Sequence, residues 1–325
     1  MRPVLILSLI VLCVGLSPSS TAQTSTAPYP NRPIRMIAPS SAGGPVDVLA
    51  RVVGQGLAEA LGQQIVIDNR PGAAGLIGTE LVAKAAPDGY TLLFGFSGPL
   101  AIVPNFNDVM PYDVLRDFAP VSLVASAPYV LLVHPGVAAK SVAELVALAR
   151  AHPGKLNYAS GGTGSGIHMS GELFNLAAGV RIVHVPYKGA GPGMAALMAG
   201  EVDMMFNGVA PALPHVRSGR LRGLAVSSAK RSALAPELPT IAESGLQFNT
   251  SGWYGLLAPR GTPQPVIAKL HSETTRTLNL PLVKEQLGKL AVEGIGSTPE
   301  QFSAVMREEL AQWAQVIKAA DLKNK

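Results

Sequence analysis

The chain has 325 residues, a length that corresponds to about two domains. It is 48% hydrophobic and only 14% charged, and its 34 Gly and 27 Pro are scattered between apolar runs, which excludes a coiled coil, a collagen repeat and a disordered tail. Lys and Arg outnumber Asp and Glu by 26 to 21 without forming a basic run, and only 5% of residues are aromatic, so no nucleic-acid surface or base-stacking platform is expected.

In chain order, the first element is a targeting segment. Arg2, an apolar run of 13 residues at positions 4–16, and small residues at Ser20 and Ala22 have the layout of a secretory signal peptide spanning residues 1–22. The run is too short for a membrane span, which needs about 20 residues. Leu12 precedes Cys13 where lipoprotein processing wants a small residue, so acylation is not expected. Cys13, the single cysteine, would leave with the signal peptide. The mature chain would then be a soluble periplasmic protein with no disulfide, thiol nucleophile or cysteine-based zinc site.

Short β-type runs then alternate with amphipathic helices. A strand at 34–38 precedes a helix at 46–61, with Leu49, Val53, Leu57 and Leu61 on one face and Gly62 as its stop. A strand at 65–67, a helix at 76–86 and a strand at 90–94 follow. Ser141 and Glu144 have the spacing of a capping box for a helix reaching about His152. Further strands are predicted at 156–159, 182–185, 202–206 and 221–226. Thr262-Pro263 and Thr298-Pro299 each place a cap and a proline before a helix, the last running to about Ala320. Apolar strands alternating with helices predict parallel sheets covered on both faces. Two extended apolar stretches, 121–133 and 252–258, are candidates for strands crossing between two lobes. The expected division is 27–125 with 252–325 for lobe 1, and 126–251 for lobe 2.

One arrangement occurs twice: a strand running through small residues into a helix start. The first instance contains Ser40, Ser41, Ala42, Gly43 and Gly44. The second contains Ser160, Gly161, Gly162, Thr163, Gly164 and Ser165, followed by His168. Such loops leave backbone N–H groups free at a helix N-terminus, where the dipole favours an anion. A carboxylate there would accept two or three charge-assisted hydrogen bonds, and the alternative reading is a plain tight turn. A third turn, residues 70–75, lacks hydroxyl donors. Ser97 stands beyond a strand's carboxyl end, where open α/β sheets place ligands.

Enzymatic readings find little support. G-x-S-x-G and the P-loop motif are absent, and the dinucleotide fingerprint lacks its third glycine, with Ile167 in its place. His168 and Glu172 have the i, i+4 spacing of a metal pair without further ligands, so a capping or packing role for His168 is favoured and neither metal nor cofactor is expected. His184, inside an apolar strand, reads as a core histidine. Asp203 interrupts a buried strand, either as a site residue or as a loop cap.

Together, Gly43-Gly-Pro-Val-Asp-Val-Leu-Ala-Arg51, Asn69-Arg-Pro-Gly72, Lys84-Ala-Ala-Pro-Asp-Gly-Tyr90, Lys155-Leu-Asn-Tyr-Ala-Ser160, His184-Val-Pro-Tyr-Lys-Gly189 and Trp253-Tyr-Gly-Leu-Leu-Ala-Pro259 resemble the Bug-type receptors of tripartite tricarboxylate transporters. The likeness runs in order through nearly the whole mature chain. It implies a two-lobed α/β periplasmic-binding-protein fold of the Venus-flytrap kind, each lobe a mostly parallel sheet flanked by helices. It also implies a monomeric receptor, not an enzyme, that captures a small organic carboxylate and delivers it to membrane transporter subunits. Carried over, the ligand positions are Ser40 to Gly44, Ser97, Ser160 to Ser165 and His168. Asn207 stands where the family often has Asp, which implies a ligand without an amino group. The alternatives are a sensory module partnering a membrane kinase and a secreted hydrolase.

Overall fold

The computed structural model describes residues 29–324; the expected signal peptide lies outside them. The first half of the fold is set by β1 (Ile34–Ala38), α1 (Pro45–Leu61), β2 (Ile65–Asn69), α2 (Leu76–Ala83) and β3 (Thr91–Phe96). The predicted stripe of α1 is its core face: Leu49, Val53, Leu57 and Leu61 are all buried, and Gly62 closes the helix in the left-handed conformation. A long strand, β4 (Phe118–Val133), leads into α3 (Val142–Ala151), β5 (Asn157–Ser160), α4 (Gly166–Ala178), β6 (Val183–Pro186), α5 (Ala190–Ala199), β7 (Met204–Gly208), α6 (Val209–Arg217) and β8 (Arg222–Val226). The chain closes with β9 (Ser251–Pro259), α7 (Gln264–Leu278), α8 (Pro281–Lys289), β10 (Glu293–Gly294) and α9 (Pro299–Ala319).

The fold is two-lobed α/β, one curled sheet with helices on its faces. Its strand order is β2-β1-β3-β9-β4-β7-β5-β6, with β8 and β10 also paired to β4. β1 pairs in parallel with β2 and β3, and β5 in parallel with β6 and β7. The middle is antiparallel, with β9 between β3 and β4. β4 changes partners along its length. Up to Pro128 it pairs with β9 and β10, and from Tyr129 it pairs with β7 and β8. β9, the other expected crossing strand, pairs among the described residues with β3 and β4 and begins at Ser251. α9 packs on β4 and also touches α4, with Phe302, Met306, Trp313, Val316 and Ile317 buried.

Several local expectations shift. The strand expected at 202–206 is Met204–Gly208, because Asp203 is spent on β5: its carboxylate accepts the Asn157 N–H at 2.8 Å and its own N–H bonds Asn157 Oδ1. Ser141 Oγ caps the Glu144 N–H, but the Glu144 carboxylate accepts from Lys140 N–H, so the box is only half formed. Thr262 does not cap α7, since its hydroxyl bonds Pro259 O. Thr298 does cap α9, in a complete capping box with Gln301.

Candidate functional site

The two glycine-rich loops adopt one design. Gly43 and Gly164 both have φ of +78°, a left-handed conformation that favours glycine. Each directs its N–H back to a side chain four residues on: Gly43 N–H to Asp47 Oδ2 at 2.7 Å, and Gly164 N–H to His168 Nδ1 at 3.1 Å. These ties hold the loop against the first turn of α1 or α4. Among the described residues, no acceptor meets the N–H groups of Ser41, Ala42, Val46 and Asp47 in the first loop, or of Gly161, Thr163, Gly166 and Ile167 in the second. Both helix starts therefore keep donors with positive partial charge.

The loops meet at a cavity of about 590 Å³. The structure brings Ser40, Ser41, Ser97, Gly161, Gly162, Thr163, Gly164 and Ser165 to its wall. Ala42, Gly43 and Gly44 do not reach it, because Gly43 and Gly44 are engaged in closing the turn. Ser160 is fully buried behind the loop, its hydroxyl bonding Gly162 and His184. His168 is 1% exposed and faces a different cavity, in keeping with the packing and capping role read for it. Asn207 is also away from the wall: it stands opposite Val130 in β4, and its Oδ1 accepts the Gly208 N–H at 2.8 Å. Asn207 thus ties the backbone where β7 passes into α6. The Asp203 carboxylate is likewise a structural tie, and His184 packs against His168.

The cavity also has walls that the sequence did not single out. Phe96, Ile102, Val103 and Trp253 supply apolar surface, and Tyr129 and Tyr254 supply rings with hydroxyls. The third turn, which the sequence did single out, also contributes Pro71, Gly72, Ala74 and Gly75. Tyr129 lies at the change of partners in β4 and runs so close to the second loop that a Cβ on Gly166 would stand 2.4 Å from its hydroxyl. Burial, with Tyr254 and Glu309 nearby, pushes the Tyr129 hydroxyl up, so it remains a protonated donor. A single Tyr in an apolar strand run was the only available signal for it.

No Lys, Arg, His, Asp or Glu lines this cavity among the described residues. The nearby Glu309 accepts hydrogen bonds from the indoles of Trp253 at 2.8 Å and Trp313 at 3.4 Å. Burial pushes its carboxyl up to about 7, against the pull of those two donors. No group of His, Cys, Asp and Glu is arranged to hold a metal ion, and no helix is long and apolar enough to cross a membrane, among the described residues. A two-lobed α/β fold with facing helix-start loops over a chargeless cavity has the geometry of a ligand-binding protein.

The chain belongs to the tripartite tricarboxylate transporter family of receptors, whose family model matches residues 49–322. Protein BugT of Bordetella pertussis is 37% identical over 100% of this chain and 99% of its own length. Among solved structures, an R. palustris protein with adipate is 36% identical, covers 90% of this chain and 98% of its own, and superposes with a TM-score of 0.73. MatC from Rhodopseudomonas palustris with bound malate is 33% identical, covers 89% and 100%, and gives 0.70.

Proposed function

We propose that this protein is a periplasmic receptor that captures a small organic carboxylate between its lobes and presents it to membrane transporter subunits, without chemistry of its own. The observation that carries this reading is the pair of helix-start loops with unpaired N–H groups at a cavity lacking charged side chains. In a low-dielectric cleft such donors favour an anion, and each charge-assisted hydrogen bond contributes about 1.5–3 kcal/mol. The lobes are residues 27–125 with 252–325, and 126–251, and they close about the change of partners in β4. The leader, residues 1–22, is removed, and the receptor acts as a monomer.

A ligand without an ammonium group is favoured, on different grounds from those read in the sequence. Asn207 does not line the cavity; instead the cavity wall offers no carboxylate to pair with an ammonium. The bound adipate and malate of the two R. palustris relatives support a plain dicarboxylate. The test is calorimetry with adipate, malate, citrate, benzoate and glutamate. Tight binding of a plain carboxylate over glutamate supports the reading, and no binding by any acid overturns it.

A further inference from the structure

Behind the second loop, a pair of imidazoles stands where the first loop has a carboxylate. His168 Nδ1 accepts the Gly164 N–H at 3.1 Å, and its Nε2 lies 3.8 Å from Glu172 Oε1. Glu172 also accepts the Tyr158 hydroxyl at 2.6 Å. The His184 ring lies against His168 with centroids 3.9 Å apart, and its Nε2 is 2.6 Å from Ser160 Oγ. That hydroxyl in turn accepts the Gly162 N–H at 3.0 Å. The two positive-φ residues of the loop, Gly162 and Gly164, are thus each held by the N–H through a connection ending on a histidine.

An imidazole nitrogen accepts a hydrogen bond only while it carries no proton. With Nε2 facing a carboxylate, neutral His168 keeps its proton there and leaves the Nδ1 lone pair for Gly164. A second proton would enter at Nδ1, turning the acceptor into a donor facing the Gly164 N–H. Among the described residues, the ionisable groups around the pair are Glu172 on α4, Tyr158 on β5 and Arg181 just before β6; α9 faces it with Val316, Ala319 and Ala320. Two rings this close do not both accept a charge readily.

We propose that His168 is a positioning residue that holds the second loop in its donor-presenting form only while its Nδ1 is unprotonated, so that the receptor grips an anion at neutral pH and loosens towards acid. The inference rests on the cavity being the ligand site. The informative variant is His168→Asn, whose Oδ1 takes the place of Nδ1 and does not titrate. Asp47 shows in the first loop that an oxygen at this register reaches the glycine N–H.

The experiment follows the backbone amide resonances of Gly164 and Gly43 across about pH 5–8. Gly164 should shift with one inflection in the wild type and stay still in His168→Asn, while Gly43 stays still in both. Adipate affinity should fall about tenfold more towards acid in the wild type than in His168→Asn, a difference that cancels the ligand's own titration. A Gly164 resonance that does not move in the wild type, or that moves equally in the variant, overturns the inference. If His168→Asn does not fold, the wild-type contrast between Gly164 and Gly43 decides alone. The resonance measurement needs no ligand, so adipate binding to neither protein counts against the carboxylate reading and leaves this outcome distinct.

Discussion

The loop leading into α1 and the loop leading into α4 have the same shape and are held by different chemistry. In the first, Asp47 takes the Gly43 N–H and pairs with Arg51 at 2.9 Å. Burial of Asp47 works to raise its pKa, but hydrogen bonds from Arg51, Gly43 and Asn69 hold it below the ordinary carboxylate range. Its contribution to stability is therefore present at all pH values above the unfolded carboxylate pKa and is lost only as pH falls through the depressed folded value. In the second, the acceptor is a buried imidazole, which loses that capacity on protonation. One backbone geometry can thus be fixed by a permanent charge in one lobe and by a neutral, titratable ring in the other. On the proposal made for His168, the second tie couples the grip of the cleft to pH in the neutral range.

The largest effect should come from cutting the first tie. Asp47→Ala removes the acceptor for Gly43 and the partner of the half-exposed Arg51, and should cost about 1–3 kcal/mol with at least a tenfold loss of carboxylate affinity. Denaturant unfolding and calorimetry would measure both, and an unchanged affinity would show that the first loop does not need its carboxylate.

Next comes the floor between the loops. Glu309, whose pKa is raised to about 7, favours the folded state fully below the unfolded carboxylate pKa of about 4.5, and that contribution is lost as pH rises through about 7. Glu309→Gln keeps an acceptor for the two indoles and should raise stability on the order of 2 kcal/mol above pH 8 while leaving it nearly unchanged below pH 4.5. Melting temperatures across that range would show whether the two curves diverge upward or run parallel.

The loops differ again at the first residue of their helices, where Pro45 in α1 corresponds to Gly166 in α4. Gly166→Ala places a methyl against the Tyr129 hydroxyl and should cost about 1–3 kcal/mol. Tyr129→Phe should recover part of that loss; additive losses in the double variant would remove the contact as its cause. At Gly162, φ is +121°, so Gly162→Val should strain the second loop by about 1–2 kcal/mol besides weakening carboxylate binding. The smallest effect is expected at the cavity wall, where Ser97→Ala should weaken carboxylate binding a few-fold, within about 1 kcal/mol, without moving the melting temperature.

Much was legible in the residues themselves. The spacing of Leu49, Val53, Leu57 and Leu61 specifies a helix and its buried face, because a 3.6-residue period leaves one stripe for the core. The small residues around Gly43 and Gly164, each before a helix, specify two turns with free donors, because the local chain alone sets which N–H groups lack a helical partner. Other assignments depended on distant parts of the chain. Asn207 stays off the cavity wall because the register of β7 sets it opposite Val130 of β4 and its Oδ1 takes the Gly208 N–H. His168 turned inward because Gly164, Glu172 and the His184 ring surround it, and His184 comes from another strand. Tyr129, Phe96 and Tyr254 line the cavity because three strands bring their side chains to one side of the central sheet. Which face of a strand meets a cleft is a property of the assembled sheet, so only the tertiary structure could decide it.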